Sequence, residues 1–240
     1  KKVLIFDGAM GTSIQNQNLT AEHFGGEKYV GCNDYLVLTY PEAVEKVHRS
    51  FFDVGVDVVE TDTFRSNRLT LDEYGLGDKT YEMNFAAASL ARRIADEYSK
   101  APAPPLNLPP SGGEKQNLSS DEDEQKVLPP KGVGFRKGAS NHPRFVAGSI
   151  GPTGKLPSAD DPDLSDVSYD ELAELFREQA TGLLEGGVDL LLIETSQDIL
   201  EVKAAIEGIQ KAFAETKIVV PLQAQITLDT TGRMLFGTDI

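Results

Sequence analysis

Short apolar runs, each followed by a polar loop and a helical segment, recur along the chain and limit its fold more than any other feature. The runs lie at 3–6, 56–60, 145–149, 188–193 and about 219–226. They are nearly continuous rather than alternating, which is typical of strands buried on both faces in a parallel sheet covered by helices. The segment 55–61 is echoed by 187–195, since in each a glycine leads into a buried strand that ends in Glu-Thr. This repetition predicts an α/β barrel of the (β/α)8 TIM-barrel type.

Segments between these runs predict helices at about 41–55, 81–98, 168–186 and 199–209. Pro41 suits the first turn of the first helix, and Ser168 with Glu171 forms a capping box ahead of the third. Gly186-Gly187 ends that third helix. No glycine-rich dinucleotide fingerprint occurs in the sequence, which favours a barrel over a Rossmann sheet.

The number of strands is smaller than a closed barrel requires. Five runs are present, whereas a barrel of this class has eight strands. We therefore expect residues 1–240 to form a partial barrel domain with about the first five βα units, present as a fragment. The alternative is that another element completes the sheet.

Residues 101–143 differ sharply in composition from the rest of the chain. They hold 8 of the 13 prolines together with glycines, serines and the acidic run Asp121–Glu124. Such a composition buries too little apolar surface to offset the entropy of ordering. It predicts a mobile surface insertion rather than an acidic docking tail, because its five acidic and five basic residues balance.

Charge and cysteine content exclude several classes of function. A net charge of -15 argues against a nucleic-acid partner, because phosphates require a basic surface. The sequence contains no run of about 18 apolar residues, so no segment is expected to span a bilayer. The start of the chain is too short an apolar stretch for a secretion signal, so we expect a cytoplasmic protein. Cys32 is the only cysteine and the three histidines are scattered, so cysteine and histidine alone cannot build a zinc site here.

Candidate site residues follow the apolar runs, because barrel active sites lie at the carboxyl ends of the strands. Asp7 follows the first run and could bind a substrate ammonium group or accept N–H bonds of its own loop. Gly8 and Gly11 could let the backbone approach a ligand closely, or only shape a turn. Glu194 ends the most apolar strand, where burial demands a cationic partner or shifts the pKa. We favour a role for Glu194 in holding a ligand amine over a structural salt bridge.

The second strand ends in a similar polar group. Glu60 is followed by Thr61, Asp62 and Thr63, which add hydroxyls and a second acid to the same edge. Cys32 lies alone in a loop, and no potential general base lies at a sequence spacing that would indicate a nucleophile and base pair. It is interpreted as an ordinary, partly buried thiol rather than a nucleophile.

Five segments together resemble the homocysteine S-methyltransferase family, and above all its cobalamin-dependent branch. They lie at 6–12, 31–39, 60–64, 147–153 and 184–195 and include Asp-Gly-Ala-Met-Gly-Thr, Gly-Cys-Asn-Asp and Gly-Ser-Ile-Gly-Pro-Thr. The resemblance covers nearly the whole chain outside 101–143. Asp62 stands where the family typically has Asn, which adds negative charge or has no effect if the side chain points outward.

The resemblance implies that the full-length protein transfers a methyl group to the thiolate of homocysteine and so makes methionine. Zinc held by three cysteines would lower the thiol pKa; its ligands are expected beyond Ile240, so this chain alone is expected to be inactive. The expected donor is methylcobalamin on another domain, and cobalamin- and folate-binding domains are the expected partners. The alternatives are a family member using betaine or S-methylmethionine, or a non-catalytic partial barrel.

The resemblance also implies which residues bind the substrate. No catalytic residue and no metal ligand is assigned within the chain. The expected substrate-binding residues are Asp7, Gly8, Ala9, Met10, Gly11, Thr61, Thr63, Ser149 and Glu194.

Overall fold

The structure is a computed structural model that describes residues 3–100 and 142–238. In chain order its helices and strands are α1 (Met10–Gln15), α2 (Leu36–Thr39), α3 (Pro41–Asp53), β1 (Val58–Glu60), α4 (Arg68–Asp72), α5 (Thr80–Lys100), β2 (Phe145–Ile150), α6 (Pro162–Ser165), α7 (Tyr169–Gly186), β3 (Leu190–Ser196), α8 (Ile199–Thr216) and β4 (Leu222–Ile226). Three single-turn 3-10 helices lie at Glu27–Tyr29, Asn33–Tyr35 and Gly77–Lys79. None of the helices in these ranges is long and apolar enough to cross a bilayer.

The four strands form one parallel sheet in the order β1-β2-β3-β4. Strand order therefore follows the sequence, as expected of successive βα units in a barrel. The four predicted helices are confirmed, and the capping box of Ser168 and Glu171 is formed at the start of α7. The short helices α1, α2, α4 and α6 were not predicted, because none is long enough to show a helical period.

The first predicted strand lies where expected but is not a full strand. Phe6 forms a single parallel bridge with Val58, and Asp7 N–H donates to the Val58 carbonyl at 3.0 Å. The ladder stops there because Ile5 N–H binds the Asp57 carboxylate at 3.0 Å instead of a backbone carbonyl. Val3 is 82% exposed, so the start of the segment gains little from burial. For the described residues, the prediction of five strands is thus corrected to four strands and one bridge.

The two faces of the sheet are both apolar, as the continuous runs predicted. On the outer face, Val59, Val146 and Leu191 pack in one large core with α5, α7 and α8. On the inner face, Val58, Ala147 and Leu192 form a smaller cluster. Because side chains alternate along a strand, the residues two positions further on face the same interior. That alternation brings Glu60, Ser149 and Glu194 to the carboxyl end of the inner face.

The predicted insertion at 101–143 lies outside the described residues except for its last two. His142 Nε2 is 2.8 Å from the Asp57 carboxylate, just before β1 begins. Arg144 follows and donates its backbone N–H to the Ser99 hydroxyl at 2.8 Å, near the end of α5. The chain therefore re-enters the sheet beside the point where α5 ends.

Candidate functional site

Three carboxyl groups approach one another at the carboxyl end of the sheet: Asp7 after the bridge at Phe6, Glu60 at the end of β1 and Glu194 in β3. Both carboxylate oxygens of Asp7 lie 3.1 Å from the Glu60 N–H. Ser149 donates its hydroxyl to Glu194 Oε1 at 2.5 Å. Asp7, Glu60 and Glu194 are close enough to repel one another electrostatically. The structure thus brings Glu60 close to Asp7 and Glu194, the two acids expected to bind the substrate. That they bind a ligand stays a prediction.

Burial and mutual repulsion make these acids hard to ionise. Burial, with Glu60 as the next cause, raises the pKa of Asp7 to about 8. Burial and then Glu194 raise the pKa of Glu60 to about 7. Burial also raises the pKa of Glu194, and the Ser149 hydrogen bond opposes that rise.

No basic side chain among residues 3–100 and 142–238 pairs with these three acids. None of them forms a salt bridge within the described chain, and no group of three or more His, Cys, Asp or Glu there is arranged to hold a metal ion. An organic cation placed among these carboxyls would favour their ionised forms. The arrangement can therefore bind an ammonium group.

Glu194 is presented by an irregular strand end. The pairing of β3 with β4 shifts register between Ile193 and Ser196, and Thr195 between them has φ 59°. A β-branched residue in this left-handed region is strained, and such strain clusters at functional sites. Nothing in the sequence signals this bulge, because threonine favours regular strands.

Two threonines and a serine form a buried network beside the acids. The hydroxyls of Thr61 and Thr63 are 2.6 Å apart, and Thr63 Oγ1 donates to the Ser149 carbonyl at 2.7 Å. Ser149 N–H donates to Thr61 Oγ1 at 3.0 Å. All three residues are buried. The structure therefore groups these three predicted site residues, with their hydroxyls bonded to protein.

The predicted glycine loop leads from Asp7 into α1, which begins at Met10 after Ala9. A Cβ added at Gly8 would come no closer than 3.7 Å to Phe51, and one at Gly11 would lie 3.6 Å from Asn33. These are ordinary contacts, so packing within the described chain does not require glycine at either position. That the loop approaches a ligand stays a prediction.

Cys32 and Asp62 are both buried, and both lie near Asp34. Burial raises the pKa of the Cys32 thiol to about 12, with Asp34 adding to the rise, so the thiol stays protonated and is a poor nucleophile. Burial and then Asp34 hold the pKa of Asp62 well above its usual range. Asp62 is only 6% exposed, so it does not point outward. Asp34 meanwhile accepts hydrogen bonds from Arg65 N–H and the Ser66 hydroxyl.

Sequence reasoning missed two residues that hold the loops around the site. Gln179 on α7 donates its side-chain amide to the Thr63 carbonyl at 2.9 Å. Glu201 on α8 accepts from the N–H and the hydroxyl of Thr153 at 2.8 and 2.6 Å. Glu201 looks in the sequence like an ordinary acid in a first helical turn, and only its burial in the structure distinguishes it.

We expect Glu60→Gln to stabilise the protein at pH 8 but not at pH 5. Glu60 has its pKa raised from 4.5 to about 7 in the folded chain, so the folded state keeps a proton that the unfolded state loses between these values. The stability linked to this proton is present below about pH 4.5 and is lost as pH rises through 7. Glutamine does not titrate, so the free energy of unfolding of the variant does not fall for this reason as pH rises. Allowing for partial exposure, the gain above pH 7 is about 1–2 kcal/mol.

The measurement is urea unfolding of both proteins at pH 5, 6, 7 and 8. Glu42→Gln, at an exposed acid on α3, is the control and should show no such pH-dependent difference from the parent. A difference between Glu60→Gln and the parent that stays constant from pH 5 to 8 would contradict the assignment.

The parallel sheet, its outer helices and the site at the strand ends define an α/β protein of the (β/α)8 TIM-barrel type. The family model for homocysteine S-methyltransferase matches residues 4–240, and the chain belongs to this family. The family assigned by resemblance is thereby confirmed.

Relatives and solved structures agree with this family. The chain is 34% identical over 240 residues to methionine synthase of Mycobacterium leprae and 33% identical over 240 residues to that of Mycobacterium tuberculosis. All of this chain is covered, but it spans 16% of the length of each of these relatives. The metallated form of the homocysteine methyltransferase MmuM from Escherichia coli matches with a TM-score of 0.65 and 18% identity, covering 100% of this chain and 68% of that one. At that identity the likeness shows the fold alone.

Proposed function

We propose that this chain is the homocysteine-binding part of a methyltransferase that methylates the homocysteine thiolate to give methionine. The observation that carries the proposal is the cluster of Asp7, Glu60 and Glu194, which lacks a basic partner among the described residues. Homocysteine carries an ammonium group at neutral pH, and family membership supplies the reason to choose this amino acid over others.

The proposed binding mode uses the groups at the strand ends. Asp7 and Glu194 hold the ammonium group, and each is oriented by a hydrogen bond from Glu60 N–H or Ser149. Binding a cation favours ionised carboxylates, so protons leave the cluster as the ligand enters. The backbone of Gly8, Ala9, Met10 and Gly11 faces the substrate beside Asp7. Thr61, Thr63 and Ser149 complete the site.

Zinc is the metal that the family resemblance implies, and the described residues do not fit it. They contain no group of three or more His, Cys, Asp or Glu arranged for a metal. The Cys32 thiol is buried among acids that disfavour its thiolate. We therefore assign no zinc ligand within 3–100 and 142–238, and the proposed steps of this chain are limited to binding and orienting the amino-acid end.

Methylcobalamin is the proposed donor, and cobalamin- and folate-binding domains of the same full-length protein are the proposed partners. The relatives named methionine synthase support this choice. Betaine and S-methylmethionine are the alternative donors within the family. We propose that residues 1–240 alone are inactive, because three thiolate ligands cannot come from one cysteine.

Methionine formation by the whole protein, as its gene encodes it, tests the proposal. With zinc and homocysteine present, labelled methionine should form from methylcobalamin and not from betaine or S-methylmethionine. The chain of residues 1–240 alone is the control and should form none. Turnover with one of the other donors would correct the donor, and absence of turnover with all three would contradict the proposed function.

A further inference from the structure

Thr61 and Thr63 are both hydrogen-bonded to the backbone of Ser149. We infer that these two threonines are positioning residues, which clamp the Ser149 backbone so that its hydroxyl donates to Glu194 and aims that carboxylate. The inference rests on the proposed function for the identity of the ligand, but not for the clamp itself.

The direction of each hydrogen bond in the network follows from counting protons. A hydroxyl has one proton to donate, and Thr63 donates its proton to the Ser149 carbonyl oxygen at 2.7 Å. In the 2.6 Å contact between the two threonine hydroxyls the donor is therefore Thr61. The Ser149 N–H donates to Thr61 Oγ1 at 3.0 Å.

Ser149 is thus bonded at its N–H by one threonine and at its carbonyl by the other. Its own hydroxyl proton goes to Glu194 Oε1. All hydroxyl protons of the network are used inside the protein, so neither threonine has one left to donate to a ligand. Ser149 is the member whose side chain reaches the acid cluster.

Burial strengthens the hydrogen bonds by which the two threonines hold the Ser149 backbone. Thr61, Thr63 and Ser149 are 3%, 0% and 2% exposed, and hydrogen bonds are stronger where water is excluded. Gln179 on α7 donates to the Thr63 carbonyl, which fixes the backbone of that threonine as well. A carboxylate that accepts a hydrogen bond is easier to ionise, so the clamp also favours the charged form of Glu194.

Carboxyl titration of Glu194 tests the clamp without any ligand. The chain is labelled with carboxyl-13C glutamate, and the Glu194 signal is identified by its loss in Glu194→Gln. Thr61→Val and Thr63→Val should each raise the pKa of Glu194, because a loosened Ser149 donates less well. Thr61→Ser and Thr63→Ser keep the hydroxyls and should leave it unchanged. Thr181→Val is the control, since in the described part of the chain that hydroxyl bonds only to the Arg177 carbonyl within α7.

A double-mutant cycle separates positioning from direct ligand contact. Ser149→Ala should raise the pKa of Glu194, and adding Thr61→Val should then change nothing more. In the whole protein, Thr61→Val should weaken homocysteine binding about five-fold on the parent background and not at all on the Ser149→Ala background.

Three results have distinct meanings. An unchanged Glu194 titration in folded Thr61→Val and Thr63→Val would overturn the inference. A loss of affinity that persists on the Ser149→Ala background would also overturn it, because the threonine would then contact the ligand. Titration as expected, with no homocysteine binding even by the parent protein, would uphold the clamp and refute the proposed function.

Discussion

Asp7→Asn and Glu194→Gln are each expected to weaken homocysteine binding by roughly 10- to 150-fold. Each substitution removes one negative charge from the group that faces the ammonium and changes little else. Asparagine at position 7 can still accept the Glu60 N–H, and glutamine at 194 can still accept the Ser149 hydroxyl. The loss therefore reports the charged contact, which is worth on the order of 1.5–3 kcal/mol.

Isothermal titration of the whole protein with homocysteine measures these losses. In the parent, affinity should rise from pH 6 to 8.5, since the pKa of Asp7 is about 8 and that of Glu60 about 7 without ligand. Asp7→Asn should flatten that rise because one of the titrating groups is gone.

Two controls separate the effect of the Asp7 and Glu194 charges on the ammonium group from the effect of losing any surface charge. Glu42→Gln removes an exposed acid on α3 and should bind homocysteine as the parent does. The analogue 4-mercaptobutanoate lacks the ammonium group and should gain nothing from either carboxylate. Parent-like homocysteine affinity in both Asp7→Asn and Glu194→Gln would refute the binding mode.

The sheet was predictable because its strands are buried on both faces. Continuous apolar runs mark such strands directly, and β1, β2, β3 and β4 all lie within or next to predicted runs. The segment at 3–6 has the same composition but pairs at Phe6 only. Composition alone does not reveal that Asp57 takes the Ile5 N–H. Whether an apolar run completes a ladder depends on partners that lie far away in the sequence.

The closeness of Asp7 and Glu194 was predictable from the sequence, and the hydrogen bonds around them were not. Asp7 and Glu194 were found because each directly follows an apolar run, and parallel strands bring such positions to one edge. The contact from Gln179 to Thr63 spans 116 residues, and that from Glu201 to Thr153 spans 48. No local pattern encodes pairings at such separations, so only the folded chain reveals them.

The packing role of glycines inside helices could not be predicted from the sequence either. One of these glycines sets the distance between two helices beside the site. A Cβ added at Gly208 on α8 would lie 2.2 Å from the Ala173 carbonyl oxygen on α7. Glycine in a helix usually costs stability relative to alanine. Here it lets α7 and α8 approach closely, and these helices carry Gln179 and Glu201.

Gly208→Ala is therefore expected to destabilise the protein by about 3 kcal/mol, because the added methyl forces the two helix backbones apart. Gly11→Ala is the matched control, since Gly11 also lies in a helix but a Cβ there meets only Asn33 at 3.6 Å. That variant should be unchanged or more stable by roughly 0.5–1 kcal/mol. Urea unfolding gives both values from the midpoint, provided that the m-value stays constant. If Gly208→Ala were as stable as the parent, the two helices would not be in contact at this glycine, and the close approach of α7 and α8 would be wrong.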